Sequence, residues 1–170
     1  RRDPASTCIW VMSESRYGQG GRRFADELRR RSREVKSVYL DPQVSRVEME
    51  ALVGRNAACS TQVVAVMAAS GAYKAGGSLP GAYPVLMEAL GKGTAPVVLV
   101  SIGRPYVVRL YPGAASYLTT FSSAPSAEAA AVRALFGDAP ITGRMPVTIP
   151  GIARPGDGIQ VEALAGSVSK

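Results

Sequence analysis

Apolar runs alternate with helical patterns along this chain, and that alternation limits the fold more than any other feature of the sequence. Five runs rich in β-forming residues occupy positions 7–12, 35–40, 62–67, 96–103 and 115–121. A largely apolar run suits a strand covered on both faces, and strands separated by helices pair in parallel. The sequence therefore predicts an α/β protein: a three-layer α/β/α sandwich with a mostly parallel sheet of five to six strands.

The segments between the runs have apolar residues three and four positions apart, as helices that cover a sheet do. The side chains expected to face the sheet are Phe24, Ala25 and Leu28 in the first helix and Val44, Val47, Ala51 and Leu52 in the second. The last helix is predicted from Pro125 to just before Gly137, because proline favours the first helical turn and glycine the position past the end.

With 170 residues the chain can form one domain with a sizeable core, and it contains no histidine. The lack of histidine excludes Ser-His-Asp and Cys-His nucleophile systems, histidine metal sites and imidazole acid–base chemistry within this chain. No run of 18 apolar residues occurs, so we expect no membrane partner. Cys8 and Cys59 are 51 residues apart without metal-ligand spacing, and we predict two buried free thiols rather than a disulfide or a metal site.

The loops at the carboxyl ends of the strands form the edge where a parallel sheet binds ligands. Gly18, Gly20 and Gly21 lie between a strand and a helix, and Asp41 ends the next strand, at nearly the spacing of a dinucleotide site. Arg23, however, occupies the third fingerprint position, where glycine permits close packing of the helix on the strand. We therefore expect an ordinary loop and helix start here, and no cofactor.

Seven of the 20 Lys and Arg residues lie between Arg22 and Lys36, so the net charge of +7 is concentrated near one helix. Acidic residues alternate with these arginines at spacings that form pairs within a helix. The one aromatic residue between them, Phe24, is assigned to the buried stripe, which leaves none for base stacking. We expect a helix that faces solvent or a partner protein, without nucleic acid as a partner.

The loop at residues 70–78 is long for a compact domain, and loops of this length tend to be functional. We predict that Tyr73 and Lys74 in this loop, and Arg104 after the fourth run, bind substrate. The two cations have no acidic neighbour within ten residues, so they are available to a sugar hydroxyl or to a carboxylate of another domain. A mobile surface loop is the alternative interpretation of residues 70–78.

Residues 95–150 carry the most specific pattern in the chain. A strand leading into Arg104-Pro105-Tyr106 is followed by a second strand, a helix and the run ALFGDAPITGRMPVTIP, which ends at Pro150. This succession resembles the second domain of family 3 glycoside hydrolases. The resemblance extends over residues 5 to about 152, and it implies a domain at 1–152 followed by a C-terminal tail at 153–170. Residues 147–149 are expected to add an extended piece to the sheet edge.

The resemblance also implies a function. In that family the α/β sandwich packs against a (β/α)8 barrel that carries the aspartate nucleophile. The β-glucosidase branch has its acid/base glutamate in the loop after the third strand of the sandwich, and the matching residues 67–71 here, MAASG, contain no carboxylate. The β-N-acetylglucosaminidase branch uses a histidine from a barrel loop instead, so this chain is similar to that branch.

We therefore expect an accessory C-terminal domain of an enzyme that hydrolyses terminal β-linked sugars, with the barrel of the same protein and a carbohydrate as its partners. Glu14 and Asp41 are the only acidic residues expected on the ligand edge, and they lie in separate loops, so no catalytic residue is predicted and the chain alone should be inactive. The first residues, RRDP, fit a segment of a longer chain. The alternative is a non-catalytic α/β module that binds a nucleotide or a protein.

Overall fold

The computed structural model describes residues 6–32, 34–68 and 79–164. The strands are β1 (Thr7–Met12), β2 (Lys36–Leu40), β3 (Thr61–Ala68), β4 (Val97–Gly103) and β5 (Ser116–Thr119). The α-helices are α1 (Arg22–Arg31), α2 (Arg46–Arg55), α3 (Tyr83–Lys92) and α4 (Pro125–Phe136), and a 3₁₀ helix spans Pro105–Leu110. None of the helices in the described ranges is long and apolar enough to cross a bilayer.

The five strands form one parallel sheet in the order β2-β1-β3-β4-β5. Alternate residues of β1 point to opposite faces. Ile9 and Val11 pack with residues of α1 and α4, whereas Trp10 and Met12 pack with residues of α2, α3 and the 3₁₀ helix. The predicted three-layer α/β/α sandwich is thus confirmed, with a sheet of five strands.

Strand β3 lies at the centre of the sheet, and all eight of its residues are buried. On one face of the sheet, Phe24, Ala25 and Leu28 of α1 are buried as predicted, because their spacing places them on one side of a helix. At the end of α4, Gly137 adopts a φ of 76°, so the predicted glycine stop is also confirmed.

The stripe predicted for the second helix is confirmed at Val44 and Leu52, which pack against the core, and wrong at Val47 and Ala51. Val47 is 76% exposed and Ala51 is also exposed, whereas Met49 is fully buried. The Ser45 hydroxyl accepts a hydrogen bond from the Glu48 amide, so α2 starts at Arg46 and Val44 precedes it. Val44 therefore reaches the core from the turn before the helix, and within α2 the buried side contains Met49 and Leu52 rather than Val47 and Ala51.

The two cysteines form a disulfide bond, so the prediction of free thiols is wrong. Strands β1 and β3 pair with Thr7 beside Thr61, and this register brings Cys59 next to Cys8 despite their sequence separation of 51. Their Cα atoms are 5.8 Å apart, within the range that disulfides span. Sequence spacing could not show this proximity, because it results from pairing between distant strands.

The described residues after α4, up to residue 164, do not extend the sheet, so the expectation for residues 147–149 is wrong. Ile149 is buried in the core and makes an isolated antiparallel bridge with Ala153. A second bridge joins Ile141 to Val161, and the Leu164 amide donates to the Gly137 carbonyl. The described part of the predicted tail therefore packs along residues 137–149; a domain boundary at residue 152 stays a prediction.

Candidate functional site

The carboxyl ends of all five strands meet at one edge of the sheet, because the strands are parallel. Strand β1 lies between β2 and β3, so the chain winds towards opposite sides of the sheet from β1. Ligands of such folds bind at the carboxyl edge, where the strand order reverses. The loops after the strands at this edge therefore form the candidate site.

The start of α1, beside the end of β1, is occupied by a carboxylate from α4. Glu128 is 3% exposed, and its Oε1 and Oε2 accept hydrogen bonds from the amides of Gly21 (3.1 Å) and Phe24 (2.8 Å). Free amides at a helix start are the groups that bind phosphate in nucleotide-binding folds. In this chain the internal carboxylate of Glu128 takes that place.

The other residues of the dinucleotide-like pattern also have local partners. Asp41 Oδ1 accepts a hydrogen bond from the Gln43 amide (2.8 Å), which stabilises the turn after β2. The Tyr39 hydroxyl donates to the Gly20 carbonyl (2.8 Å), and the guanidinium of Arg22 lies 5.7 Å from the centre of the Tyr39 ring. These contacts fit the predicted loop and helix start.

The ends of β1 and β2 are covered by the start of α3. The Tyr83 hydroxyl is buried and lies 2.6 Å from the Ser13 carbonyl oxygen and 2.9 Å from that of Leu40. Gly81, with a φ of 57°, approaches the Pro42 carbonyl so closely that a Cβ atom would lie 2.0 Å from its oxygen. We call this part of the edge, formed by the ends of β1 and β2 with the residues that cover them, the closed side.

The turn after β4 is held by hydrogen bonds from β3, β4 and β5. The Arg104 amide donates to the Ala68 carbonyl (2.9 Å), and the Ser101 hydroxyl donates to the Arg104 carbonyl (2.5 Å). The Tyr117 hydroxyl donates to the Pro105 carbonyl. Burial raises the pKa of Tyr117 to about 12, so this donor keeps its proton at neutral pH. The backbone that carries the half-buried Arg104 is therefore fixed.

The end of strand β5 lies beside this turn. The two are joined by a hydrogen bond from the Gly103 amide to the Thr120 hydroxyl (3.3 Å). Two aromatic side chains are exposed here, Tyr106 at 44% and Phe121 at 40%. We call this part of the edge, formed by residues 103–106 and 120–123, the open side. It offers a guanidinium group, hydroxyl groups and aromatic rings, which is the kind of mixed surface that small polar ligands use.

Of the residues predicted to bind substrate, the structure places Arg104 on the open side. Tyr73 and Lys74 lie outside the described residues. Sequence reasoning missed Phe121, although an aromatic residue followed by two serines at a strand end was a readable signal. It also missed the contact of Glu128 with α1, which no local pattern could show because 104 residues separate Glu128 from Phe24.

The basic helix α1 is extensively paired, as its charge pattern predicts. Glu27, whose side chain is 11% exposed, forms ion pairs with Arg23 (2.7 Å) and Arg30 (3.1 Å). Arg31 bridges to Asp138 past the end of α4 at 2.7 Å. The pairs with Glu27 lie within α1, and the Arg31–Asp138 pair joins α1 to the end of α4; together they reduce the positive charge available to a polyanion.

A cavity of about 310 Å³ opens at the opposite, amino edge of the sheet, between the ends of α2 and α3. Its lining residues are uncharged, and the Trp10 indole N–H donates to Gln62 Oε1 inside it (2.8 Å). Within residues 6–32, 34–68 and 79–164, no three His, Cys, Asp or Glu side chains gather as a metal site would require.

The fold and the edge define a class of protein: a doubly wound α/β sandwich domain whose ligand edge is closed at β1 and β2 and open at β4 and β5. No protein-family model matches the chain, and a search of curated proteins also finds no match. Solved structures do match. One is a fungal multi-domain family 3 glycoside hydrolase, a β-N-acetylglucosaminidase described with a GCN5-related glucosamine N-acetyltransferase region.

The fungal structure matches with a TM-score of 0.67 and 18% identity over 93% of this chain and 17% of its own. A family 3 β-N-acetylglucosaminidase from Paenibacillus sp. str. FPU-7 matches with a TM-score of 0.62 and 18% identity over 80% of this chain and 26% of its own. These matches show the fold of the chain. Both solved structures belong to the family that residues 95–150 resemble. The chain spans about a sixth of the first protein and a quarter of the second.

Proposed function

We propose that this chain is the second domain of a family 3 glycoside hydrolase of the β-N-acetylglucosaminidase branch. The observation that carries the proposal is the fold match to two such enzymes, which covers most of this chain but a small part of theirs. The run ALFGDAPITGRMPVTIP supports the proposal independently, because its resemblance to the family does not depend on the fold match. The complete protein would hydrolyse terminal β-linked sugars, with N-acetylglucosamine as the leading candidate.

The chemistry of this chain fits an accessory role. Retaining glycosidases need two carboxyl groups, or a carboxyl group and a substitute acid, on opposite sides of one glycosidic bond. Of the described acidic residues at the carboxyl edge, Glu128 is used inside the fold and Asp41 in its own turn, which leaves the half-buried Glu14 after β1 as one carboxyl group where two are needed. The nucleophile and the acid/base would therefore come from a barrel domain of the same protein.

The open side would form one wall of the sugar pocket. Arg104 is held on a fixed turn, and a guanidinium group there can donate hydrogen bonds to sugar hydroxyls. Tyr73 and Lys74 follow the adjacent strand β3 in the sequence, so they belong to the same proposal as substrate-binding residues.

The alternative, a module that binds a nucleotide through its carboxyl edge, has less support. The amides that would bind a phosphate group are already bonded to Glu128. A protein partner for the exposed arginines of α1 would be compatible with either function.

The test compares the 170-residue chain with the complete protein encoded by its gene, using nitrophenyl N-acetylglucosaminide and nitrophenyl glucoside. We expect the complete protein to hydrolyse the first substrate faster than the second, and the chain alone to hydrolyse neither. A complete protein without glycosidase activity would refute the proposal. So would turnover by the chain alone that survives repurification and disappears in Glu14→Gln or Asp41→Asn.

A further inference from the structure

The backbone at the end of β5 adopts an unfavourable conformation. Phe121 has a φ of 54°, and among the described residues it is the only non-glycine residue with a positive φ. This left-handed conformation is disfavoured for a bulky side chain and persists only when the surroundings impose it. Such residues concentrate where a protein holds a side chain for a ligand.

Hydrogen bonds on both sides of Phe121 impose this conformation. The Thr120 amide donates to the Ser101 carbonyl (3.1 Å), and the Thr120 hydroxyl donates to the Ser122 carbonyl (2.7 Å). The Ser122 hydroxyl in turn accepts from the Ala124 amide (3.2 Å), directly before α4. The backbone of the turn is thus tied to β4 and to the start of α4 on both sides of Phe121.

The Phe121 ring is not needed for core packing. It is 40% exposed and belongs to neither of the two apolar clusters that flank the sheet. A strained residue that adds little to the core is a poor choice for stability, since asparagine or glycine would fit the same backbone at lower cost.

The neighbours of Phe121 indicate what its ring would bind. The Gly103–Thr120 hydrogen bond places the Phe121 turn beside the turn of Arg104. Ser122 and Ser123, which follow the ring, are exposed and uncharged. An exposed aromatic ring with two exposed serines after it, on a turn beside the one that carries Arg104, matches a pyranose sugar, which has an apolar C–H face and a rim of hydroxyl groups.

We propose that Phe121 is a sugar-contact residue, a fixed platform on which a pyranose ring of the substrate stacks, with Arg104 and the hydroxyl groups of 122–123 beside its rim. This inference rests on the proposed function and extends it from the wall of a pocket to a particular contact. The strained backbone at Phe121 would keep the ring exposed when no sugar is bound.

The test titrates the 170-residue chain with the β-1,4-linked dimer of N-acetylglucosamine and follows the three phenylalanine rings by NMR. The ring signals of Phe121 should shift, and Phe121→Asn should weaken binding by about tenfold, because a stacking contact is lost. Phe121→Tyr should bind like the original chain. The melting temperature of Phe121→Asn should stay equal or rise by about 2 °C, since asparagine relieves the strain.

Leu110→Asn is the matched control, because Leu110 has a similar exposure of 38% and lies at the far end of the 3₁₀ helix. It should leave sugar binding unchanged. The inference is overturned if the Phe121 ring does not respond to the sugar or if Phe121→Asn binds as tightly as the original. A large fall in the melting temperature of Phe121→Asn would also overturn it, since the ring would then be a packing residue. Hydrolysis by the complete protein is measured separately, so the proposed function can survive this failure.

Discussion

The closed and open sides belong to the same edge of one sheet, yet they use their polar groups differently. On the closed side, the amides at the start of α1 bond to Glu128, and the carbonyls of Ser13 and Leu40 lie against the Tyr83 hydroxyl. On the open side, hydrogen bonds fix the backbone, while the rings of Tyr106 and Phe121 remain exposed.

This difference shows why a fold class alone does not locate a ligand. In a doubly wound sheet the reversal point beside β1 is the usual place for a ligand. Here that place is filled by side chains of the protein itself, which join α4 to α1 and α3 to the ends of β1 and β2. The groups able to meet an external molecule are displaced by two strands, towards β4 and β5.

Removing the carboxylate of the closed side should have the largest effect on stability. Glu128→Ala leaves two buried amides without their acceptor, and we expect the free energy of unfolding to fall by about 3 kcal/mol, measured by urea denaturation. Glu128→Gln keeps one acceptor oxygen and should lose less. The vacated site should then accept an anion, so added pyrophosphate should raise the melting temperature of Glu128→Ala and leave the original chain unchanged. Equal stability of all three proteins would show that Glu128 does not close this side.

Adding a methyl group at Gly81, where the chain before α3 approaches the turn after β2, should have the next largest effect on stability. In Gly81→Ala the added Cβ atom would collide with the Pro42 carbonyl, and the positive φ of residue 81 disfavours alanine. We expect the free energy of unfolding to fall by about 2 kcal/mol. Gly54→Ala is the control, because Gly54 lies in α2 with nothing within 4 Å of the added carbon. That substitution should instead stabilise the chain by about 0.5–1 kcal/mol, since alanine favours a helix. Equal denaturation midpoints for the two variants would contradict the close approach at Gly81.

The layers of the fold were predictable because they depend on local patterns. Apolar runs identified the five strands, and Gly137 identified the end of α4, without knowledge of any distant contact. In the second helix, Val44 and Leu52 pack on the core as predicted, but Val47 and Ala51 do not, because α2 begins only after Ser45 and its buried side contains Met49.

The site was less predictable because its decisive contacts join residues far apart in sequence. Arg104 could be placed at a strand end by its position after an apolar run. The bond between Cys8 and Cys59 and the contact of Glu128 with α1 depend on which elements become neighbours in space. The positive φ of Phe121 depends on hydrogen bonds to β4, which its own sequence does not show.

The most direct test of the central claim follows the backbone amides of the 170-residue chain by NMR during separate titrations with NAD and with the dimer of N-acetylglucosamine. We expect the sugar to shift the amide signals of Arg104 and Phe121, and NAD to leave those of Gly21 and Phe24 unchanged. Shifts of Gly21 and Phe24 with NAD, together with no response of Arg104 and Phe121 to the sugar, would contradict it. The ligand side would then be at β1, and the nucleotide-binding alternative would replace the glycosidase domain.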